Sequence, residues 1–246
     1  LFRSIVYVDT PRDQVIRHPL NIIDHFVQNY VQYPYRLGLI DRESLREVRS
    51  QTPRYQAAIY LTEEVKFWDF LNRVCKQFGY YWFFDEEQIK FSIGEAGPIE
   101  KDQLISDRLN VVGSMSRTST GYEDLYTRLK YQYQRDWIQD SFEQEIDVNK
   151  FNNELCAQAA SVRSESSEFS IEAEFVNDPA TAEDVVSRYI QRLVRRYDTY
   201  ECRVEEVDDM EPFKPGERVL MTSQQFDFSR EPVLVLSSKE VEGGQE

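Results

Sequence analysis

Residues 62–91 read TEEVKFWDFLNRVCKQFGYYWFFDEEQIKF and decide what kind of fold this chain adopts. Thr62 is placed to cap a helix, with Glu63 and Glu64 in a first turn where the helix dipole favours acids. Phe67, Trp68, Leu71, Cys75 and Phe78 recur at helical spacing, and Phe70 and Val74 widen the apolar stripe. Gly79 follows Lys76 where a left-handed stop is expected. Tyr80–Phe84 then reads as a strand, Asp85–Glu87 as a turn and Gln88–Ile93 as the returning strand. A helix running into an aromatic hairpin is built to pack. Phe67, Trp68, Leu71, Tyr81 and Phe83 are therefore read as its structural core, and truncating Trp68 is expected to unfold the chain.

Outward from this unit, the reading is α+β and strand-rich. To the N-terminal side, Leu1–Val8 reads as a strand. Pro19 opens a helix through about Tyr33, with Leu20, Ile23, Phe26, Val27, Tyr30 and Val31 on one apolar face. A short helix is expected at Glu43–Arg49. The stretch Gly94–Pro98 marks a boundary, which divides the chain into an α/β domain at 1–97 and a β-rich, barrel-like domain at 98–246. In the second part, strands are expected within Leu104–Thr118, at Tyr126–Tyr133 and at Phe169–Phe175. Residues 136–168 are polar and acidic and read as a long loop, with a short helix near Asn153–Ala160. Asp178 caps, and Pro179 begins, a helix running to Arg196; Ala182, Val185, Val186, Tyr189, Ile190 and Leu193 form its buried face. Strands at Thr199–Val207, Arg218–Thr222 and Pro232–Val241 complete the reading, with Phe213–Glu217 as a tight turn.

Of the 246 residues, 41% are hydrophobic and 13% aromatic, enough for a sizeable core in one or two domains. No apolar run approaches the ~20 residues of a membrane span. The chain has no secretory leader and no initial Met, so a piece of a longer protein is expected. Three cysteines, Cys75, Cys156 and Cys202, are too few and too odd for a disulfide framework, which fits synthesis in a reducing cytoplasm. The net charge is −15 and is unevenly spread. Residues 1–97 hold 12 Lys and Arg against 13 Asp and Glu, a net −1; residues 98–246 hold 17 against 31, a net −14. Such acidity disfavours phosphate binding, which depends on neutralisation by Lys and Arg.

The chemistry-bearing residues are sparse. Glu205, Glu206, Asp208, Asp209 and Glu211 read as a solvated acidic loop, and Asp85, Glu86 and Glu87 as a hairpin tip. His18 and His25 lie seven apart, and Pro19 leaves His18 at or before a helix start. A helical zinc pair needs tighter spacing and acidic partners, so a capping His18 and a surface His25 are preferred. No G-x-S-x-G, P-loop or G-x-G-x-x-G occurs, and Gly94 and Gly97 stand alone. The YYWFF strand could stack bases only beside a basic groove, and Lys76 and Lys90 are too little for one. No catalytic, cofactor or metal residue is assigned, and no enzymatic activity is expected.

Three segments in order carry a family likeness. His18–Ile23 (HPLNII) with Gly38–Asp41 (GLID) and Ser44 resembles the P-x-x-I-(I/L) helix and G-(L/I)-x-x-x-S element of phage tail baseplate hub proteins. The FWDFLNRVCKQFGYYWFFDEEQIKF stretch is similar to their helix followed by a glycine-aromatic hairpin. Asp178–Ala182 with Arg188 and Tyr189, followed by Phe213–Val219 (FKPGERV), resembles their late helix and P-G-D turn, with Glu217 where Asp is commoner. The resemblance implies a structural tail-tip hub linking tail tube to tip around a DNA channel, in phages, prophages or tail-like injection devices. It further implies β-barrel modules with an α/β insert, a homotrimer, partners in the tail tube, distal tail and tip or spike proteins, DNA passing without specific binding, and a place in the virion tail. Two other classes are weighed: a tail-carried cell-wall hydrolase using two convergent carboxylates, and an acidic module that mimics DNA.

Overall fold

The structure, a computed structural model, describes residues 16–30, 38–59, 65–85, 87–93, 104–108, 111–163, 165–204, 213 and 218–235. In chain order the elements are α1 (Pro19–Tyr30), α2 (Arg42–Gln51), α3 (Phe67–Phe78), β1 (Tyr81–Asp85), β2 (Gln88–Ser92), β3 (Leu104–Ser106) and β4 (Val111–Ser119). They continue with β5 (Arg128–Asp136), β6 (Ser141–Asn149), α4 (Glu154–Val162), β7 (Glu168–Ala173), α5 (Pro179–Leu193), β8 (Asp198–Val204), β9 (Arg218–Ser223) and β10 (Phe228–Leu234). This is a mixed α+β, strand-rich fold, as the sequence implies. Among the described residues its sheets have two or three strands and none closes into a barrel. The strand read at Leu1–Val8, the Gly94–Pro98 boundary, the acidic run from Glu205 to Glu211 and the Lys214–Glu217 turn lie outside the described residues.

Two compact units divide the chain. The first takes up described residues within Leu1–Trp82, Glu87–Ile93 and Thr120–Tyr197; the second takes up those within Phe83–Glu86, Gly94–Ser119 and Asp198–Glu246. Whereas the sequence reading sets a boundary at 97/98, this division groups β5 to α5 with the N-terminal helices. Ala182, Val185, Val186 and Ile190 of α5 share one core with Phe26, Phe70, Leu71 and Phe78.

In the first unit, the apolar face of α1 buries Leu20, Ile23, Phe26 and Val27. Asp41 caps α2 by accepting from the Glu43 and Ser44 amides. Val65 and Lys66 are not helical, so α3 begins later than a Thr62 cap requires, and Lys66 takes the capping position without a side-chain bond. Phe67, Phe70, Leu71, Val74, Cys75 and Phe78 face inward, and Phe70 stacks on Phe26 with ring centroids 4.6 Å apart.

The expected core shifts at this point. Phe67 and Leu71 are buried, but Trp68 is 42% exposed, Tyr81 is 48% exposed and Phe83 only half-buried. The reason is angular. Phe70, Leu71, Val74 and Phe78 already fill the inward arc of a twelve-residue helix, and Trp68 falls outside it. It stacks instead on Trp82 at 5.6 Å, whose indole N–H donates to Asn72 Oδ1 at 2.9 Å.

Gly79 ends α3 in the left-handed region at φ +69°, and the Tyr80 amide bonds back to the Cys75 carbonyl at 2.9 Å. A Cβ there would meet Tyr189 and Val185 of α5 at 3.7 and 3.8 Å, ordinary contact distances. Backbone strain, not crowding, is what excludes a side chain. Gly79→Ala is expected to cost about 1 kcal/mol in urea-unfolding stability; an unchanged midpoint would contradict this.

The main sheet has the order β6-β5-β7, with β5 antiparallel to β6 and parallel to β7. Leu129, Tyr131, Ile171 and Ala173 point to one buried face. Tyr131 donates to the Gln77 carbonyl at 2.7 Å, and Phe169 meets Tyr189 at 5.9 Å, so α3 and α5 cover this face. Within the long loop expected over 136–168, the structure forms the strand β6, and the short helix expected near Asn153–Ala160 is present as α4. β6 is an edge strand, so its polar residues are solvated, and Gln144 interrupts the apolar side formed by Phe142, Ile146 and Val148. That dilutes the alternation on which strand recognition depends.

In the second unit, β3 runs parallel to β9 and β10 antiparallel to it, giving the order β10-β9-β3, while β4 pairs with β8. Ile105, Met115, Val219 and Met221 form the centre of a separate small core. β10 starts at Phe228, ahead of the expected Pro232, and its register shifts between Phe228 and Glu231 near the positive-φ Arg230.

Candidate functional site

His18 is a buried helix cap. Its Nδ1 accepts from the Leu20 amide at 3.3 Å and its Nε2 lies 2.9 Å from the Thr52 carbonyl, to which it donates. This arrangement holds the neutral ring with its proton on Nε2, since a proton on Nδ1 would face the Leu20 N–H. Burial lowers the His18 pKa and Arg49 lowers it further, against the raising bond to Thr52. His25 lies on the α1 surface beside Asn29, and burial lowers its pKa as well, against the raising charge of Asp24. The two histidines thus serve separate roles and form no pair.

A pH dependence of stability follows. With folded pKa values below the ordinary 6.5, the unfolded chain takes up protons first. The stabilisation is complete above pH 6.5 and falls as the pH drops below it. Urea midpoints should decrease between about pH 7.5 and 5.5, and His18→Asn should flatten that slope. An identical slope in the variant would contradict the role given to His18.

Thr52 extends the His18 contact inward, with its hydroxyl 3.2 Å from Tyr80 and 2.9 Å from the Val48 carbonyl. Nearby, Tyr55 donates to Asp184, which Arg188 also holds at 3.1 Å. Burial drives the Tyr55 and Tyr80 phenols far above their usual range. Each hydroxyl has a partner, and the network reads as a brace between the α2–α3 region and α5.

Two grooves lie in the first unit. One, of about 400 Å³, is lined by Asp24, Asp41, Arg42, Glu43, Arg46 and Gln88, among others. Its two aspartates are engaged: Asp24 with Arg42 at 3.2 Å, and Asp41 with its own helix cap and with Lys90 at 3.5 Å. The other, of about 300 Å³, includes Arg135, Trp137, Glu143 and Glu174. Glu174 is an ion-pair node the sequence reading missed, accepting from Arg73, Gln77 and Arg135. These partners lie 101, 97 and 39 residues away, so no local spacing announces them.

Burial raises the thiol pKa of Cys75, Cys156 and Cys202, away from reactive thiolate character. Among the described residues, no group of three His, Cys, Asp or Glu side chains is placed to hold a metal. Among the same residues, no helix is long and apolar enough to cross a membrane.

The aromatic strand has more basic company than Lys76 and Lys90. Arg192 lies over Tyr81 at 4.6 Å, Arg188 over Tyr55 at 5.9 Å and Arg196 over Tyr122 at 4.4 Å. Positions 188, 192 and 196 are four apart, a ladder by spacing whose first two members share a face of α5 and whose last, Arg196, lies beyond its end at Leu193. That spacing was the available signal, hidden because Arg192, Arg195 and Arg196 equally suit a helix C-terminus.

The solvent face of the β6-β5-β7 sheet is acidic. Arg128 bridges Asp147 at 2.8 Å and Glu168 at 2.9 Å, and Lys130 pairs with Glu145 at 3.1 Å. Glu143 and Glu172 share that face by register, giving five carboxylates against two bases.

No protein-family model matches the chain, and no curated protein matches it. Among solved structures, the crystal structure of the tail protein from Neisseria meningitidis MC58 is similar, with 10% sequence identity and a TM-score of 0.49. The overlap takes in 77% of this chain and 58% of the other, and a likeness this loose carries no argument about function.

Proposed function

We propose that this chain is a structural component of a phage tail or tail-like injection apparatus, acting as a baseplate or tail-tip hub around a DNA channel. One observation carries the reading. The first two segments that resemble tail hub proteins and the late helix of the third, distant in sequence, fold into a single core, while Phe213 and Val219 of the third belong to the core of the second unit. His18 caps the helix of the first segment, Phe26 of that helix stacks on Phe70 of the second, and Gly79 of the second rests against Val185 and Tyr189 of the third. Residues that resemble family punctuation are thus the residues that hold the elements together. In this reading the chain forms a homotrimer that joins tail tube and distal tail to tip or spike proteins. Its acidic surface lets DNA pass without retention, by repulsion.

Labelling an epitope-tagged chain with gold on purified particles tests the placement. Label at the tail end is expected; label absent from particles, or spread over heads, would overturn the reading. Solution mass tests the ring: about three times the 29.2 kDa chain is expected.

A further inference from the structure

The C-terminal end of α5 carries a compact basic and aromatic patch. Arg192 and Arg196 lie over Tyr81 and Tyr122, and Arg195 and Arg196 are exposed. Tyr197 donates to the Gln191 carbonyl at 2.8 Å, and burial raises its phenol pKa against the lowering charges of Arg192 and Arg195. Tyr81, Tyr122 and Tyr197 are 48%, 47% and 48% exposed, large rigid rings half in water. Nearby acids are Glu123 and Asp124, the latter bonded to the Gly121 amide. Half-exposed tyrosine beside arginine is the composition of energetically important protein interfaces.

The same unit supplies a complementary surface. α5 lies on the inner face of the β6-β5-β7 sheet, and the outer face of that sheet holds the excess carboxylates, with Glu143 and Glu172 outside its ion pairs. The basic patch and the acidic face therefore belong to opposite layers of one helix-and-sheet unit.

We propose that the Arg/Tyr patch at the end of α5 docks on the acidic outer face of the β6-β5-β7 sheet in a second copy of this chain. It rests on the ring reading above and supplies a contact for it. The contact is heterologous, using different patches on the two copies, and such contacts generate rings when the rotation closes. A two-fold pairing of either patch with itself would set like charges together. Nucleic acid is a poorer occupant, because a chain of net −15 repels phosphate.

Sedimentation of the whole chain at about 0.05 M and about 0.5 M salt, where screening lengths differ roughly threefold, provides the test. Self-association at low salt should weaken at least tenfold at high salt. Arg195→Glu should weaken it similarly at low salt, as should Glu143→Arg, and a chain carrying both changes should recover most of the loss. Circular dichroism and melting of each variant establish that the fold is intact. A wild-type chain that stays monomeric, an Arg195→Glu variant that associates like wild type, or a patch that instead binds a short DNA duplex would each overturn the proposal. Gold label at the tail end together with normal Arg195→Glu assembly would remove this contact alone and leave the tail reading standing.

Discussion

Phe70→Ala is expected to destabilise the chain by about 3–5 kcal/mol, the range for truncating a buried Phe, whereas Trp68→Ala should cost no more than about 1.5 kcal/mol. The contrast follows from two rings a half-turn apart on α3. Phe70 is 0% exposed, stacks on Phe26 at 4.6 Å and meets Phe175 at 6.5 Å, which ties α1, α3 and the end of β7 together. Its removal leaves a cavity that three elements would have to close. Trp68 is 42% exposed, and its ring meets Phe67 and Trp82 at 4.9 and 5.6 Å. Losing it forfeits stacking on the surface of the hairpin and leaves the interior packed. Urea unfolding of the two variants side by side decides the matter. Equal losses, or a larger loss for Trp68, would mean that the core runs through the outer face of α3.

That inversion shows what the sequence could and could not say. The order of a helix, a left-handed glycine and an aromatic hairpin was legible because each carries local chemistry: an apolar period, a φ requirement, and an alternating aromatic run. Pro19 and Asp178 likewise announced the starts of α1 and α5, each through a cap or a fixed φ. The depth of an aromatic side chain is another matter. It depends on which residues have already filled the helix arc, and a stripe as wide as Phe67 to Phe78 offers more aromatics than one face can bury. β6 was hidden for a related reason. An edge strand satisfies its outer side with water, so Glu143, Glu145 and Asp147 read as loop, although Phe142, Ile146 and Val148 sit at strand spacing. The Arg188, Arg192 and Arg196 ladder was spelled out in the sequence. Its tyrosines come from three separate places in the chain, so only the folded arrangement shows the pairing.

Glu174→Ala is the second large effect, and here the expected loss is about 2–3 kcal/mol. Glu174 follows β7, and its side chain is 8% exposed. It accepts from Arg73 and Gln77 of α3 and from Arg135 of β5, so one carboxylate joins a helix to two strands of the sheet below it. Gln77 extends the junction, with its Oε1 accepting from the Phe175 amide at 2.9 Å. Removing one member of a fully buried ion pair costs about 3–5 kcal/mol, because the remaining charge is stranded. Arg73 and Arg135 are 43% and 25% exposed, so water recovers part of that cost and the expectation is set lower. Arg135 keeps Asp140 and the Trp137 ring, and Arg73 keeps the Phe175 ring, which limits the collapse. Glu174→Gln retains the shape and an acceptor and should lose roughly half as much. Urea unfolding at neutral pH measures both variants. A Glu174→Ala loss below about 0.5 kcal/mol, the value of an ordinary surface pair, would show that the carboxylate does not join helix to sheet. A Gln variant as damaged as Ala would place the whole effect in the charge.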